Sequence, residues 1–451
     1  MNNLGLRKLI ENISYTMGRQ VGAAFFYLLS QILIARFYGP GGSGVIAIAM
    51  LLPTTLATFL NLGINPANVY FVAASNVSLR KAWDTTLRLG CLISFVGISI
   101  GISLLELRPQ WFTGVPQLAL WLGLATFPPS LFVALISGLL QSKQNFQLLN
   151  RLGFVQPIAQ LLIVVLLLYF NVSNPSWLIA SLLFSVLITL VFSFNALQAE
   201  LQNCSQLFPS SYLWKALSYG SKAHLGNIVQ FLNYKADIFI VNFFLGTAAT
   251  GFYVVAVNIA ESLWILSQAT SSVILPRLSE LSNDEAKRSL LTPLLSRWML
   301  VLSISVALFA ALLFPLLIPI TFGSAFSGSV VPFLVLLPGI TLLSCSRVMA
   351  NDVAARGKPE FNMFLAVVVL FVNIVFNLIL TPRMGLNGAA LSTSISYSLD
   401  FLIRIFMVQK LTGVSPAHFI LFQKQDLELI HLLLRTLKSL WAQILPFRFY
   451  R

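Results

Sequence analysis

The sequence predicts an all-α integral membrane protein of about 12 transmembrane helices, arranged as two six-helix bundles related by a parallel pseudo-repeat. Three observations predict it. Of 451 residues only 9% are charged and 57% are hydrophobic, with a mean hydropathy of +0.85, whereas a soluble domain carries roughly 25% charged residues. Apolar stretches of about 17 to 25 residues recur from end to end, each long enough to cross about 30 Å of hydrocarbon as a helix. The basic residues alternate between successive loops as only an even number of crossings allows.

In order, the stretches run 14–38, 44–65, 85–105, 117–140, 152–170, 177–197, 223–245, 250–272, 298–320, 329–350, 361–381 and 386–408. The net charge of +14 would suggest nucleic acid in a soluble protein, so its distribution decides its meaning. Of the 28 Lys and Arg, 24 fall on the side that holds both termini, three (Arg36, Arg108 and Arg383) fall opposite, and Lys235 lies inside a span. That is the positive-inside pattern with cytoplasmic termini, and no nucleic-acid partner is expected.

An internal repeat organises the spans. "FYGPGGSGVIAIA" (37–49) aligns with "FLGTAATGFYVVA" (244–256), pairing Gly39 with Gly246 and Gly44 with Gly251. "SKQNFQ" (142–147) aligns with "GKPEFN" (357–362). Six spans per half is an even number, so both halves point the same way and the repeat axis runs along the membrane normal. The expected domains are an N-terminal bundle (1–197), a cytoplasmic linker (198–222), a C-terminal bundle (223–408) and a basic tail (409–451). Within the tail, 427–445 reads as an amphipathic helix on the inner membrane face. "LSNDEAKRS" (281–289) reads as a solvated loop.

The informative residues are those that hydrocarbon should reject. Span seven places Asn227, Gln230, Tyr234 and Asp237 on one helix face, which must look into a wet cavity or the bundle interior. Lys235 points away from Asp237 and matches Glu261 in depth across the next turn, so a Lys235–Glu261 bridge is expected. These groups are candidates for ion coupling or substrate charge balance. Arg19, near the inner end of span one, could hold a phosphate or reach the headgroups. Asp400 and Arg404, one turn apart, suggest a local salt bridge, and Arg347 admits either kind of role. In the segment "NIVFNLILTPRMGLNGAALSTSIS" (373–396), Asn373 and Asn377 share a face and are expected to bond across to another helix more than to touch substrate. Gly388, Ala389 and Ala390 suit close helix packing.

Soluble-enzyme signals are absent: the sequence has no phosphate-binding loop, no zinc spacing and no His beside a nucleophile. Cys91, Cys204 and Cys345 form no disulfide or metal pattern. No catalytic residue, metal or cofactor is expected, and no cleavable signal.

The chain resembles the polysaccharide transport family, the O-antigen and lipid-linked oligosaccharide flippases of the multidrug/oligosaccharidyl-lipid/polysaccharide exporter superfamily. The resemblance is carried by "ARFYGPGGSGVIAIAMLL" with "NLGINPA", "DIFIVNFFLGTAATGFYVVA", "LPRLSEL", "ITFGSAFSGSVVPFLVLLPG" and "GKPEFN" with the 373–396 segment, in the family's order. It implies two six-helix bundles around a cavity that opens alternately to each side, and a bacterial inner-membrane location. The implied cargo is a polyprenyl-pyrophosphate-linked oligosaccharide moved to the outer leaflet, with H+ or Na+ as candidate coupling ion and polymerase machinery as candidate partner. Basic cavity residues are expected in the family. Here Arg19, Lys235 and Arg36 are the ones placed for that, opposed by Asp237 and Glu261. Alternatives are a cation-coupled small-molecule exporter of the same superfamily, and a lipid II flippase, whose relatives usually carry two further spans. A membrane glycosyltransferase or polymerase would need catalytic groups in a large outer loop, and the loop 106–116 carries only Glu106 and Arg108.

Overall fold

In hydrocarbon every backbone N–H and C=O must find a partner within the chain, so a long apolar stretch has helix as its solution. The structure is a computed structural model that describes residues 3–73, 77–143, 145–202, 212–265, 267, 268, 270, 271, 278, 285–423 and 426, with side chains from residue 21 onward except at 73, 146, 222, 223, 286 and 359. The described residues contain helices and no strand. They are α1 (Asn3–Leu60), α2 (Ile64–Ala73), α3 (Leu79–Leu107), α4 (Gln117–Ala125), α5 (Phe127–Ser142), α6 (Phe146–Tyr169), α7 (Ser176–Gln202), α8 (Tyr212–Ser262), α9 (Glu285–Phe322), α10 (Val330–Ala355), α11 (Pro359–Met384), α12 (Leu386–Thr412) and the short α13 (Ala417–Ile420).

Among the described residues ten stretches are long and apolar enough to cross a membrane, and two of them, Val21–Leu60 and His224–Ser262, have 40 and 39 residues. Each of these two bends at a glycine and counts twice, so ten stretches make twelve crossings. The bends are at Gly39 (φ 64, ψ −168) in α1 and Gly246 (φ 80, ψ 178) in α8. This backbone region is open essentially to glycine alone. The two glycines are repeat partners, so the repeat read from the sequence holds in backbone conformation as well.

Packing divides the chain into two units. The first comprises Met1–Asn258, Leu313–Val335 and Leu370–Ser392; the second comprises Ile259–Leu312, Leu336–Val369 and Thr393–Arg451. At one end of the first unit, the helix starts beyond the two bends cross in backbone contact. A Cβ on Gly44 would stand 1.8 Å from the Thr247 carbonyl oxygen, and a Cβ on Gly251 would stand 2.0 Å from the Pro40 carbonyl oxygen. Pro40 and Thr247 are themselves repeat partners, so the contact is self-complementary, as two-fold symmetry requires. Nearby, the exposed Arg36 donates from Nε to the Thr321 carbonyl at 2.7 Å and from Nη2 to the Ile320 carbonyl. It thereby caps the last turn of α9.

At the other end of this unit, Gly63 and Gly220 meet backbone to backbone, with a Cβ on Gly220 falling 2.5 Å from the Gly63 carbonyl oxygen. Below them Tyr212 donates to Asn68 Oδ1 at 2.5 Å, and Asn68 Nδ2 donates to Thr86 Oγ1 at 3.1 Å. These buried polar groups sit among Val72, Leu79, Ile136, Leu139 and Leu197.

The second unit is held by buried ion pairs as well as by its apolar core of Leu300, Cys345, Phe401, Ile405 and Phe419. Arg288 binds Asp352 at 2.7 Å, and Arg356 binds both Asp352 at 2.9 Å and Glu285 at 2.7 Å. This corrects the reading of 281–289 as a solvated loop for 285–289, where the chain is helical and Arg288 is buried, while 281–284 lie outside the described residues. Residues 285–289 begin α9, and Arg288 is only 2% exposed because its charge is neutralised inside the unit. The same pairing explains why α9 starts thirteen residues before the apolar stretch 298–320. Asp400 and Arg404 make the expected bridge at 2.8 Å, and Arg404 also donates to Ser346 Oγ at 2.7 Å and to Asn362.

After α12 the chain turns back onto α9. Phe419 is fully buried, Asp426 binds Arg297 at 2.9 Å, and Trp298 Nε1 donates to Asp426 at 3.1 Å. The start of the expected tail is therefore built into this core. The expected amphipathic helix 427–445 lies outside the described residues, as does most of "LPRLSEL".

Asn373 and Asn377 are buried, at 1% and 0% exposure. Asn377 differs from expectation: it donates along its own helix to the Asn373 carbonyl at 3.0 Å and Oδ1 at 3.2 Å, and accepts from Thr381 at 3.3 Å. An i, i+4 ladder inside one helix satisfies the Asn377 amide at less entropic cost than a partner on a neighbouring helix. The turn that follows is a single residue, Gly385 (φ 61), and Gly388 lets α12 pass the Leu380 carbonyl oxygen, 2.2 Å from where a Cβ would be.

Candidate functional site

The face of α8 predicted to be wet opens onto a cavity. It has a volume of about 400 Å³ and is lined by Ala57, Thr58 and Asn61 from the end of α1 and by His224, Asn227, Gln230, Phe231 and Tyr234 from α8. Asn227, Gln230 and Tyr234 recur at three- and four-residue intervals, so a helix must present them together. Gln230 Nε2 donates to the Tyr234 hydroxyl at 3.2 Å, one turn on.

Two residues that the sequence reading passed over complete the site. His224 is 7% exposed and its Nε2 lies 2.9 Å from the Phe59 carbonyl oxygen. A carbonyl only accepts, so Nε2 carries the proton and the ring ties α8 to α1. Asn61 lines the cavity with an enclosed Oδ1 that has no hydrogen-bond partner among the described residues. Both were within reach of pattern: His224 continues the Asn227 stripe three residues earlier, and Asn61 follows Thr58 by three. Among the described residues none that lines the cavity carries a carboxylate, an ammonium or a guanidinium, and the lining offers amide, hydroxyl and imidazole groups.

Asp237 lies one turn beyond Tyr234 and is 3% exposed. Its Oδ2 accepts from the Tyr253 hydroxyl at 2.7 Å and its Oδ1 from the Ile238 N–H at 2.8 Å. Asp237 and Tyr253 stand on opposite arms of the α8 bend, so this charge-assisted bond clamps spans seven and eight together. The other predicted residues lie elsewhere. Lys235 is half-buried on α8 in the first unit, and Glu261 is half-buried in the second unit. Arg36 caps α9, and Asn373 and Asn377 form the buried ladder of α11. Arg19 falls in α1 where no side chain is described. Arg347, in the second unit, lies 4.2 Å from the Trp264 ring centre and donates to Ser267 Oγ at 3.4 Å. Among the described residues no group of His, Cys, Asp and Glu could hold a metal ion.

A family model described as polysaccharide biosynthesis protein matches residues 33–331, about two thirds of the chain. The chain belongs to that family. The match includes both helix bends, at Gly39 and Gly246, and every residue that lines the cavity. Among relatives, the chain is 23% identical over 419 residues to the probable flippase AglR of Haloferax volcanii, covering 91% of this chain and 86% of that protein. It is 23% identical over 243 residues to the probable low-salt glycan biosynthesis flippase Agl15 of the same organism, covering 53% of this chain and only half of that protein. Among solved structures, the lipid II flippase MurJ in an inward closed conformation superposes with a TM-score of 0.72 at 16% identity, over 88% of this chain and 87% of that one. That likeness establishes the fold.

Proposed function

We propose that this family member is a flippase that carries a polyprenyl-pyrophosphate-linked oligosaccharide from the cytoplasmic to the outer leaflet by alternating access. The observation that carries the reading is the hydrogen-bonding cavity on α8, set in a chain that is otherwise lipid-compatible over twelve crossings. A polar head group cannot cross hydrocarbon unaided, and such a cavity replaces its water. Relatives named as flippases support the same conclusion. The positive-inside charge pattern supports cytoplasmic termini and an inner-membrane location.

In this reading two six-helix bundles, the halves of the sequence repeat, rock against each other about the fixed site. Asp237 is the residue we assign to ion coupling. Protonating its carboxylate would replace the ionic acceptor of the Tyr253 hydroxyl by a weaker neutral one and loosen the clamp across the α8 bend. Lys235 and Glu261 are assigned to charge balance along the path. The rival reading, a cation-coupled small-molecule exporter, draws on the same buried carboxylate.

The test is reconstitution into vesicles with a fluorescent polyprenyl pyrophosphate oligosaccharide, scoring leaflet exchange under an imposed ion gradient. The expected result is gradient-dependent exchange by the parent and loss of that gradient dependence in Asp237→Asn. Absence of exchange by both proteins, together with export of a cationic dye, would establish the rival.

A further inference from the structure

We infer that the α1–α8 cavity is a glycan subsite, one that reads the hydroxyls of a sugar ring and not the pyrophosphate. This deepens the flippase reading and rests on it. Three observations carry it.

The first is the chemistry of the lining. Among the described lining residues, Asn61, Asn227 and Gln230 offer amides and His224 an imidazole, and none carries a carboxylate, an ammonium or a guanidinium. A pyrophosphate calls for guanidinium, ammonium or a metal ion, whereas a sugar hydroxyl, at once donor and acceptor, is matched by amides.

The second is the orphan at Asn61. Its enclosed Oδ1 lacks a donor among the described residues. A buried unsatisfied acceptor is costly until a donor arrives, and a hydroxyl supplies one.

The third is an aromatic platform on the same seam. Tyr70 and Tyr219 stack with ring centres 4.8 Å apart and planes 11° from parallel, and they remain 51% and 42% exposed. Phe71 packs edge-on against both rings. Tyr219 adjoins Gly220, whose backbone touches Gly63 two residues past Asn61, and it precedes His224 by five residues, a rise of about 7.5 Å. The platform therefore lies beside the Gly63–Gly220 contact, within two helical turns of His224. An exposed tyrosine face offers an apolar surface to ring C–H groups and a hydroxyl at its tip.

The experiment compares leaflet exchange of two fluorescent lipids in vesicles: polyprenyl pyrophosphate bearing the oligosaccharide, and the same lipid without sugar. Asn227→Leu should slow the glycan-bearing lipid about fivefold, the worth of one neutral hydrogen bond, and leave the sugar-free lipid within about twofold. Tyr219→Leu should act in the same direction and Tyr219→Phe should not. Thermal unfolding in detergent separates loss of the site from loss of the fold, and stabilisation of the parent by the glycan-bearing lipid alone provides a readout independent of transport. Equal slowing of both lipids, or of neither, overturns the inference and fits tyrosines that merely sit at the membrane interface. A parent that exchanges neither lipid overturns the flippase reading with it; a parent that exchanges both lipids equally, unaffected by these variants, overturns the subsite alone.

Discussion

Adding one methyl group at Gly44 tests how the two sequence repeats are joined. The new Cβ would lie 1.8 Å from the Thr247 carbonyl oxygen, 1.6 Å short of the 3.4 Å at which ordinary contact begins. The obstructing atom belongs to the backbone, so no rotamer change can relieve the clash and the helices themselves must separate. Gly251→Ala meets the Pro40 carbonyl oxygen at 2.0 Å and faces the same demand. Overpacking of this kind costs about 1–3 kcal/mol. Gly41→Ala is the matched control, because a Cβ there meets nothing within 4 Å. Because both substitutions push the same two backbones apart, the double variant should cost clearly less than the sum of the singles, a coupling of about 0.5–3 kcal/mol. The assay is thermal unfolding of the purified protein in detergent for the three single variants and the double. If Gly44→Ala and Gly251→Ala matched Gly41→Ala, or if their effects added, the reciprocal contact would not be what joins the repeats.

Two further predictions follow from the buried charges. Burial alone would raise the Asp426 carboxyl, but the Arg297 guanidinium, the Gln423 N–H and Trp298 outweigh it and hold the group below its ordinary range. A depressed carboxyl contributes stability above its unfolded value of about 3.9 and loses it as pH falls through the folded value. Parent stability should therefore drop below about pH 4, and Asp426→Asn should lose that share of the acid dependence in unfolding curves taken against pH. Tyr253→Phe leaves the Asp237 carboxylate without the hydroxyl that donates at 2.7 Å. It should destabilise by about 1.5–3 kcal/mol, the range for a hydrogen bond to a charged group, and Asp237→Asn in that background should recover part of the loss; no recovery would argue against a charged Asp237.

Where the sequence spoke, it did so through local rules. Lipid forbids unsatisfied backbone, so apolar length predicted helices whether or not their neighbours were known. Glycine alone tolerates the backbone found at Gly39 and Gly246, so the two bends could be read from the repeat. Helical periodicity placed Asn227, Gln230 and Tyr234 on one face, and the cavity is there. Asp400 and Arg404 were legible as a pair because one turn separates them.

Tertiary structure decided what depends on distant partners. The alignment pairs Gly44 with Gly251, but only packing shows that they touch each other, each against the carbonyl that precedes its counterpart in the turn. Arg288 finds Asp352 across 64 positions and Arg297 finds Asp426 across 129, separations at which no periodicity survives. The first of those pairs buries Arg288 within the start of α9, where its neighbours Glu285 and Lys287 stay exposed. His224 and Asn61 joined the site because α1 and α8 cross there, and Asn377 turned to its own helix because that partner was already in place. The sequence by itself determined which segments are long and apolar enough to cross a membrane and which polar residues share one face of α8, since both depend on residue spacing. What that face confronts, and which charges are neutralised, depended on the helices being brought together, since burial and pairing are properties of neighbours.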